Sequence, residues 1–110
     1  MTTITKVSKR TYSYDNEDIR VIISKYANPE NTAVILETPD GCYYTDVSTN
    51  INPLPLNRFA VDINNNPDIG TWLQENNIAH FTGTEMNSGF ISYPIYEFND
   101  DFNDELEYDD

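Results

Sequence analysis

Three closely spaced turn signals constrain this chain more than any other feature. Asp15-Asn16-Glu17-Asp18, Asn28-Pro29-Glu30-Asn31 and Pro39-Asp40-Gly41 separate short runs rich in β-branched and aromatic residues. Pro presets φ, Asn and Asp tolerate turn conformations, and Gly follows where positive φ is needed. The runs between them are RTYSYD, DIRVIISKY, TAVILET and CYYTDVS, and Ile19, Val21 and Ile23 alternate onto one face. Strict alternation is the period of a half-buried strand. Residues 11–48 are therefore expected to form a β-meander.

Downstream the pattern changes. INPLPLN (51–57) has two prolines in three residues, which excludes a central strand and favours an extended connector. RFAVDI (58–63) is a further strand candidate. NNNPDIGTWLQENN carries the helix, with Asn66 expected as N-cap, Pro67 at the first helical position and Asp68 complementing the dipole. Ile69, Trp72 and Leu73 make the i, i+3, i+4 stripe that packs on a sheet, and Asn76 or Asn77 supplies a left-handed end. Gly70 costs this helix about 1 kcal/mol relative to Ala. In GFISYPIYEF, Pro94 places a late strand at a sheet edge or a bulge. The expected fold class is α+β: an antiparallel sheet of about five to seven strands, built from the meander plus C-terminal strands, with one helix packed on a face. Residues 1–98 are read as a single α+β domain and 99–110 as an acidic C-terminal tail, either disordered or a short helix.

The formal net charge of −13 is unevenly distributed. All six Lys and Arg fall within residues 1–58, beside seven acids, while residues 59–110 hold twelve acids and neither Lys nor Arg. Direct nucleic-acid binding needs clustered cations, so this distribution argues against it and toward a basic partner. The single cysteine, Cys42, excludes an intramolecular disulfide and fits a reducing cytosol. The first residues lack the apolar stretch of a signal peptide, and no stretch approaches a membrane span, so a cytoplasmic protein without membrane contact is expected.

Catalysis has few carriers. His80, the one histidine, is expected to be a partly buried, hydrogen-bonded ring rather than a general base. Cys42 would need His80 beside it to act as a nucleophile and is expected to be a packing residue. Four glycines leave little for a phosphate-cradling loop, and no metalloprotease, hydrolase-elbow or P-loop motif occurs. One His and one Cys cannot complete a zinc site. Asp101, Asn103 and Glu105 mimic the start of a calcium loop, but Leu106 stands where its glycine must be. The expectation is a protein without enzymatic activity, cofactor or metal. Tyr12, Tyr14, Tyr43, Tyr44, Tyr93 and Tyr96 lie on strand candidates, where tyrosine is favoured; a few exposed ones would suit a protein interface.

The run FAVDINNNPDIGTWLQENN, a Thr-Gly, and SGFISYPIYEF resembles a small family carried by conjugative plasmids, integrative elements and phages of low-GC Gram-positive bacteria. The likeness covers roughly Arg58 to Phe98, with a looser match to the meander. It implies a mobile-element accessory protein of the anti-defence kind, and in particular a non-enzymatic anti-CRISPR that blocks a type II RNA-guided nuclease. The alternatives are an antirestriction protein, or a structural or regulatory accessory of plasmid transfer or maintenance that pairs through the Pro94 strand. The segment beyond Phe98 lies outside the shared pattern, so its role is not implied by the likeness.

The last fourteen residues, EFNDDFNDELEYDD, hold eight carboxylates and no cation. Blocks of like charge are commonly disordered and solubilising. The competing reading is a docking element. Phe98, Phe102 and Leu106 recur at i, i+4, i+8, and Asn99 could cap a helix starting at Asp100. Carboxylates about 5–6 Å apart on a helix, or about 6.6 Å apart along a strand, match the cation spacing of a nucleic-acid channel. In that reading Asp100, Asp101, Asp104, Glu105 and Glu107 are phosphate surrogates, and Phe102 and Leu106 are anchors. The expected partner is a basic nucleic-acid-binding protein, bound by a monomer or weak homodimer, and deleting residues 99–110 should leave the fold intact.

Overall fold

The computed structural model describes residues 5–109. Among these residues ten strands and two short helices form an α+β fold of two antiparallel sheets. The strands are β1 (Thr5–Ser8), β2 (Tyr12–Tyr14), β3 (Glu17–Lys25), β4 (Thr32–Glu37), β5 (Tyr43–Asp46), β6 (Ser48–Thr49), β7 (Arg58–Val61), β8 (Ala79–Ser88), β9 (Ile91–Phe98) and β10 (Leu106–Asp109). The helices are α1 (Ile69–Glu75) and α2 (Asp100–Asn103). The larger sheet runs β10-β1-β3-β4-β5, with β2 also on β3, and the smaller runs β6-β7-β9-β8.

The meander is where the turn chemistry puts it. Tyr14 pairs with Glu17, leaving Asp15 and Asn16 as a two-residue loop with φ of 57° and 65°. Positive φ at both positions is the hairpin turn whose twist matches its strands, and Asp and Asn tolerate it. At the next but one turn, Gly41 has φ of 91° and donates its N–H to the Thr38 carbonyl. The strands so positioned send Ile19, Val21, Val34 and Leu36 inward, where each is fully buried. Facing them are Val47, Phe59, Val61, Ile78 and Phe98 from the smaller sheet and its flanks, with Ile69, Trp72 and Leu73 of α1.

Three features depart from expectation. The strands number ten in two sheets rather than five to seven in one, because β1, β8 and β10 carry weak local patterns and are held by their neighbours. β8 contains Gly83 at φ 91° and an irregular register between Phe81 and Glu85, yet seven of its residues pair with β9. Pro94 lies opposite that irregularity, one residue beyond the last β7 partner, where a missing N–H leaves no ladder bond unmade. Second, Asp68 rather than Asn66 is the N-cap of α1. The Asn66 side chain instead donates to Thr45 Oγ1 (3.1 Å) and the Asp46 carbonyl (2.9 Å), tethering the pre-helix turn to β5. The helix ends as read, with Asn77 at φ 57°. Third, residues 100–109 fold onto the domain as α2 and β10, so the boundary drawn after Phe98 is not where the fold stops. Leu106, Glu107, Tyr108 and Asp109 pair antiparallel with Ser8, Val7, Lys6 and Thr5.

Gly70 acquires a reason that helix propensity alone does not give. A methyl there would stand 2.5 Å from Tyr96 Oη and 3.1 Å from its ring. Gly70→Ala is expected to destabilise by about 1–2 kcal/mol despite alanine's better propensity, because overpacking outweighs it. In a Tyr96→Phe background the cost should fall clearly, since the hydroxyl is the nearest atom in the way, although the ring carbon at 3.1 Å remains. Urea unfolding of the four proteins decides; an equal cost in both backgrounds refutes the clash.

Candidate interaction surface

The C-terminal segment divides into residues that hold the fold and residues that face solvent. Phe102 is 2% exposed, stacked on Phe98 at 5.7 Å between ring centroids and packed against Tyr12 at 6.5 Å. It is therefore not an anchor for a partner, and the i, i+4, i+8 stripe serves the protein's own core through a strand, a helical turn and a second strand. Leu106 is half-buried against the same cluster. Glu105 is also committed internally. Its carboxylate accepts from the Arg10 N–H (3.3 Å) and the Tyr12 hydroxyl (3.2 Å) and pairs with Arg10 Nε at 3.1 Å. Asn99 does cap α2, but its side-chain oxygen meets His80 Nδ1 at 2.6 Å rather than a helix N–H. Asp100, Asp101, Asp104 and Glu107 are exposed, and none is in an ion pair among the described residues.

The two candidate catalytic side chains are both exposed, which corrects their expected burial. His80 stands on β8 with its ring between Asn99 and Glu97, the latter 3.7 Å from Nε2 and also bound to Arg58 Nε at 3.0 Å. Cys42 lies in the β4–β5 turn of the other sheet, its N–H held by Thr38 Oγ1. Among the described residues no cluster of three His, Cys, Asp or Glu has the arrangement of a metal site.

A second acidic surface is assembled by the fold from three separate segments. The β2–β3 turn brings Asp15 and Glu17, β5 brings Tyr43, Tyr44 and Asp46, and the approach to α1 brings Asp62 and Asp68. Tyr14 is the hub: it meets Trp72 edge-on at 5.2 Å and Tyr44 edge-on at 6.1 Å. Such pairs fix ring orientation beyond simple burial. The Tyr44 hydroxyl donates to Asp15 Oδ2 at 3.5 Å. Tyr43, 62% exposed, projects beside Asp46.

The electrostatics of this patch register at its phenols. Desolvation raises the pKa of Tyr14, and Asp15 and Asp68 raise it further. For Tyr43 the added carboxylates are Asp46 and Asp62, and for Tyr44 they are Asp15 and Glu17. Nearby negative charge disfavours a phenolate and, by the same field, favours an approaching cation. Asp62 is itself buried, its carboxylate accepting from the backbone and side-chain N–H groups of Asn65. Asp15, Glu17, Asp46 and Asp68 are exposed, without ion-pair partners among the described residues.

Sequence pattern places these tyrosines on strands but does not single out the acids beside them. Asp15-Asn16-Glu17 follows Tyr14, and Tyr43-Tyr44-Thr45-Asp46 likewise sets acid close to aromatic; that proximity is the one local signal. Their meeting across 29 positions, as in Tyr44 with Asp15, was not readable locally.

The chain belongs to the family described as a domain of unknown function (DUF4313), matched over residues 20–110. That match runs through α2 and β10. No curated protein matches the chain, and neither does any solved structure. Among the described residues no helix is long and apolar enough to cross a membrane.

Proposed function

We propose that this protein is a non-enzymatic inhibitor that binds a basic, nucleic-acid-handling protein in the bacterial cytoplasm. The observation that carries the reading is the set of exposed carboxylates Asp15, Glu17 and Asp68 around Tyr14 and Tyr44, with Asp46 beside Tyr43, none of them in an ion pair among the described residues. Carboxylates presented from separate turns and strands can take the place of phosphates for the Lys and Arg that line a nucleic-acid channel. Tyrosine supplies contact area at small entropic cost and a face for Arg. The exposed Asp100, Asp101, Asp104 and Glu107 of the C-terminal segment add further negative charge. The resemblance described above directs the choice of target to a type II RNA-guided nuclease, whose heteroduplex channel and motif-reading arginines have the required charge. Self-repulsion at net charge −13 favours the monomer.

The test is inhibition of target-DNA cleavage by such a nuclease. Wild-type protein should inhibit, with association slowing as salt rises. Neutralising the patch (Asp15→Asn, Glu17→Gln, Asp46→Asn and Asp68→Asn together) should weaken inhibition by about 100-fold, in the range measured for several close interfacial charge pairs. Asn keeps both the positive-φ turn at residue 15 and the N-cap at residue 68, so unfolding in urea should be little changed. Inhibition that survives the neutralisation moves the working surface elsewhere. Absence of any binding to the nuclease at low salt overturns the proposed target.

A further inference from the structure

One cleft departs from the acidic character of the molecule. The β1–β3–β10 part of the larger sheet faces Leu56, Asn57 and the end of β9 across a cavity of about 810 Å³. Its floor and wall are apolar, made by Ile23, Phe98, Leu106 and Leu56, the last 65% exposed. Two of the six cations of the chain, Lys6 and Lys25, line it. Lys6 pairs directly with Ile23, and Lys25 is two residues further along the same strand, so both lysines stem from one face as diagonal neighbours. The Lys6 ammonium lies 5.3 Å from the Tyr108 ring centroid, and neither lysine is in an ion pair among the described residues. Among the described residues Glu30 is the one carboxylate in the lining.

We infer that this cleft binds an amphipathic anion: a single apolar chain laid along Ile23, Leu56, Phe98 and Leu106, with a carboxylate or phosphate head held by Lys6 and Lys25. The volume falls in the range of small-molecule sites, and the combination of an apolar body with a few convergent polar groups is what such sites present. Charge decides the class of occupant. A cation would meet two ammonium groups here while a strongly acidic surface competes for it elsewhere; an anion finds its complement in this cleft. Asn57 and Asn103, also in the lining, are engaged with the protein itself, Asn103 Nδ2 donating to Asn57 Oδ1 (3.3 Å) and Asn57 Nδ2 to the Phe98 carbonyl (3.4 Å), so the two lysines carry the head group. This site is distinct from the Tyr14–Tyr44 patch and stands or falls separately from the proposed inhibitor function.

The experiment is a titration of the full chain with octanoate, octyl phosphate and octanol, followed by amide chemical shifts at about physiological salt. Octanoate or octyl phosphate should saturate at one equivalent and shift Ile23, Lys25, Asn57 and Tyr108. If both bind, the anionic head is the shared determinant; if one does, it names the source. Lys6→Gln or Lys25→Gln should weaken anion binding about tenfold, as expected for loss of a charge-assisted contact. Octanol should bind at least about tenfold more weakly than the anions and ignore both substitutions. Leu56→Glu changes an exposed residue and so keeps the fold, but places a carboxylate in the wall and should abolish anion binding. Shifts that map outside the cleft, lack of saturation, or unchanged affinity in the lysine variants overturns the assignment.

Discussion

A chain ending at Phe98 is expected not to fold. The cut removes Phe102, which is 2% exposed in the core between Phe98 and Tyr12, and it removes β10, which pairs with every residue of β1. It also strips Glu105 from Arg10 and Tyr12. Replacing a buried Phe by Ala alone costs about 3–5 kcal/mol through lost transfer energy and the cavity left behind. A domain of this size has about 5–15 kcal/mol in total, so the cut exceeds most or all of it. Phe102→Ala should therefore lower the urea midpoint sharply without abolishing folding, while the truncated chain should lack a cooperative transition. A truncated protein with a wild-type midpoint would mean that α2 and β10 contribute nothing to the core. The consequence for function is practical. Deletion of residues 99–110 cannot test the exposed acids of this segment, because loss of binding would report loss of fold. Asp100→Asn, Asp101→Asn and Asp104→Asn together leave Phe102 in place and isolate the charge.

The same residues explain which parts of the molecule were legible in the sequence. Asp15-Asn16 and Asp40-Gly41 announce their turns because positive φ restricts residue choice locally, and Ile19, Val21 and Ile23 announce their face by alternation. The stripe of Ile69, Trp72 and Leu73 is legible for the same reason, since helix period is a local property. The C-terminal segment is not. Its density of carboxylates reads as a solvated tail until Arg10, 95 positions away, is seen to neutralise Glu105, and until Ser8 to Thr5 are seen to accept β10 as a neighbour. Gly70 reads as a cost until Tyr96 is found over it. The Tyr14–Tyr44 patch is illegible for the reason the C-terminal pairing is: charge and aromatic content are visible in sequence, but which of them meet depends on strand order.

Asn31→Asp is expected to be among the most damaging single changes of near-equal volume in this protein, and its damage should depend on pH. Asn31 is 4% exposed, and its amide organises the proline-bearing connector. Nδ2 donates to Asn50 Oδ1 (3.0 Å) and the carbonyls of Asn52 (3.0 Å) and, more distantly, Ile51 (3.4 Å), while Oδ1 accepts the Leu54 N–H (2.8 Å). Aspartate keeps the last bond but turns the other oxygen, charged and without a proton, onto three acceptors. Unmade buried bonds cost about 1–3 kcal/mol each, and more where charge is involved, so a loss of about 3–5 kcal/mol near neutral pH follows. Burial and those acceptors must raise the folded pKa of the new carboxyl above its unfolded value of about 3.9. A raised pKa contributes stability below the unfolded value and loses it as pH rises through the folded one. The gap between Asn31→Asp and wild type should therefore narrow from pH 7 toward pH 4, where a protonated carboxyl can donate again. Asn31→Ala, with nothing to titrate, should show a gap that does not change with pH. A pH-independent gap in the aspartate variant would show that Asn31 does not donate in the folded state. Because the connector it secures carries Leu56 and Asn57, the wall of the lysine-lined cleft, the same substitution should also weaken octanoate binding near neutral pH and restore it on acidification only as far as the fold itself recovers.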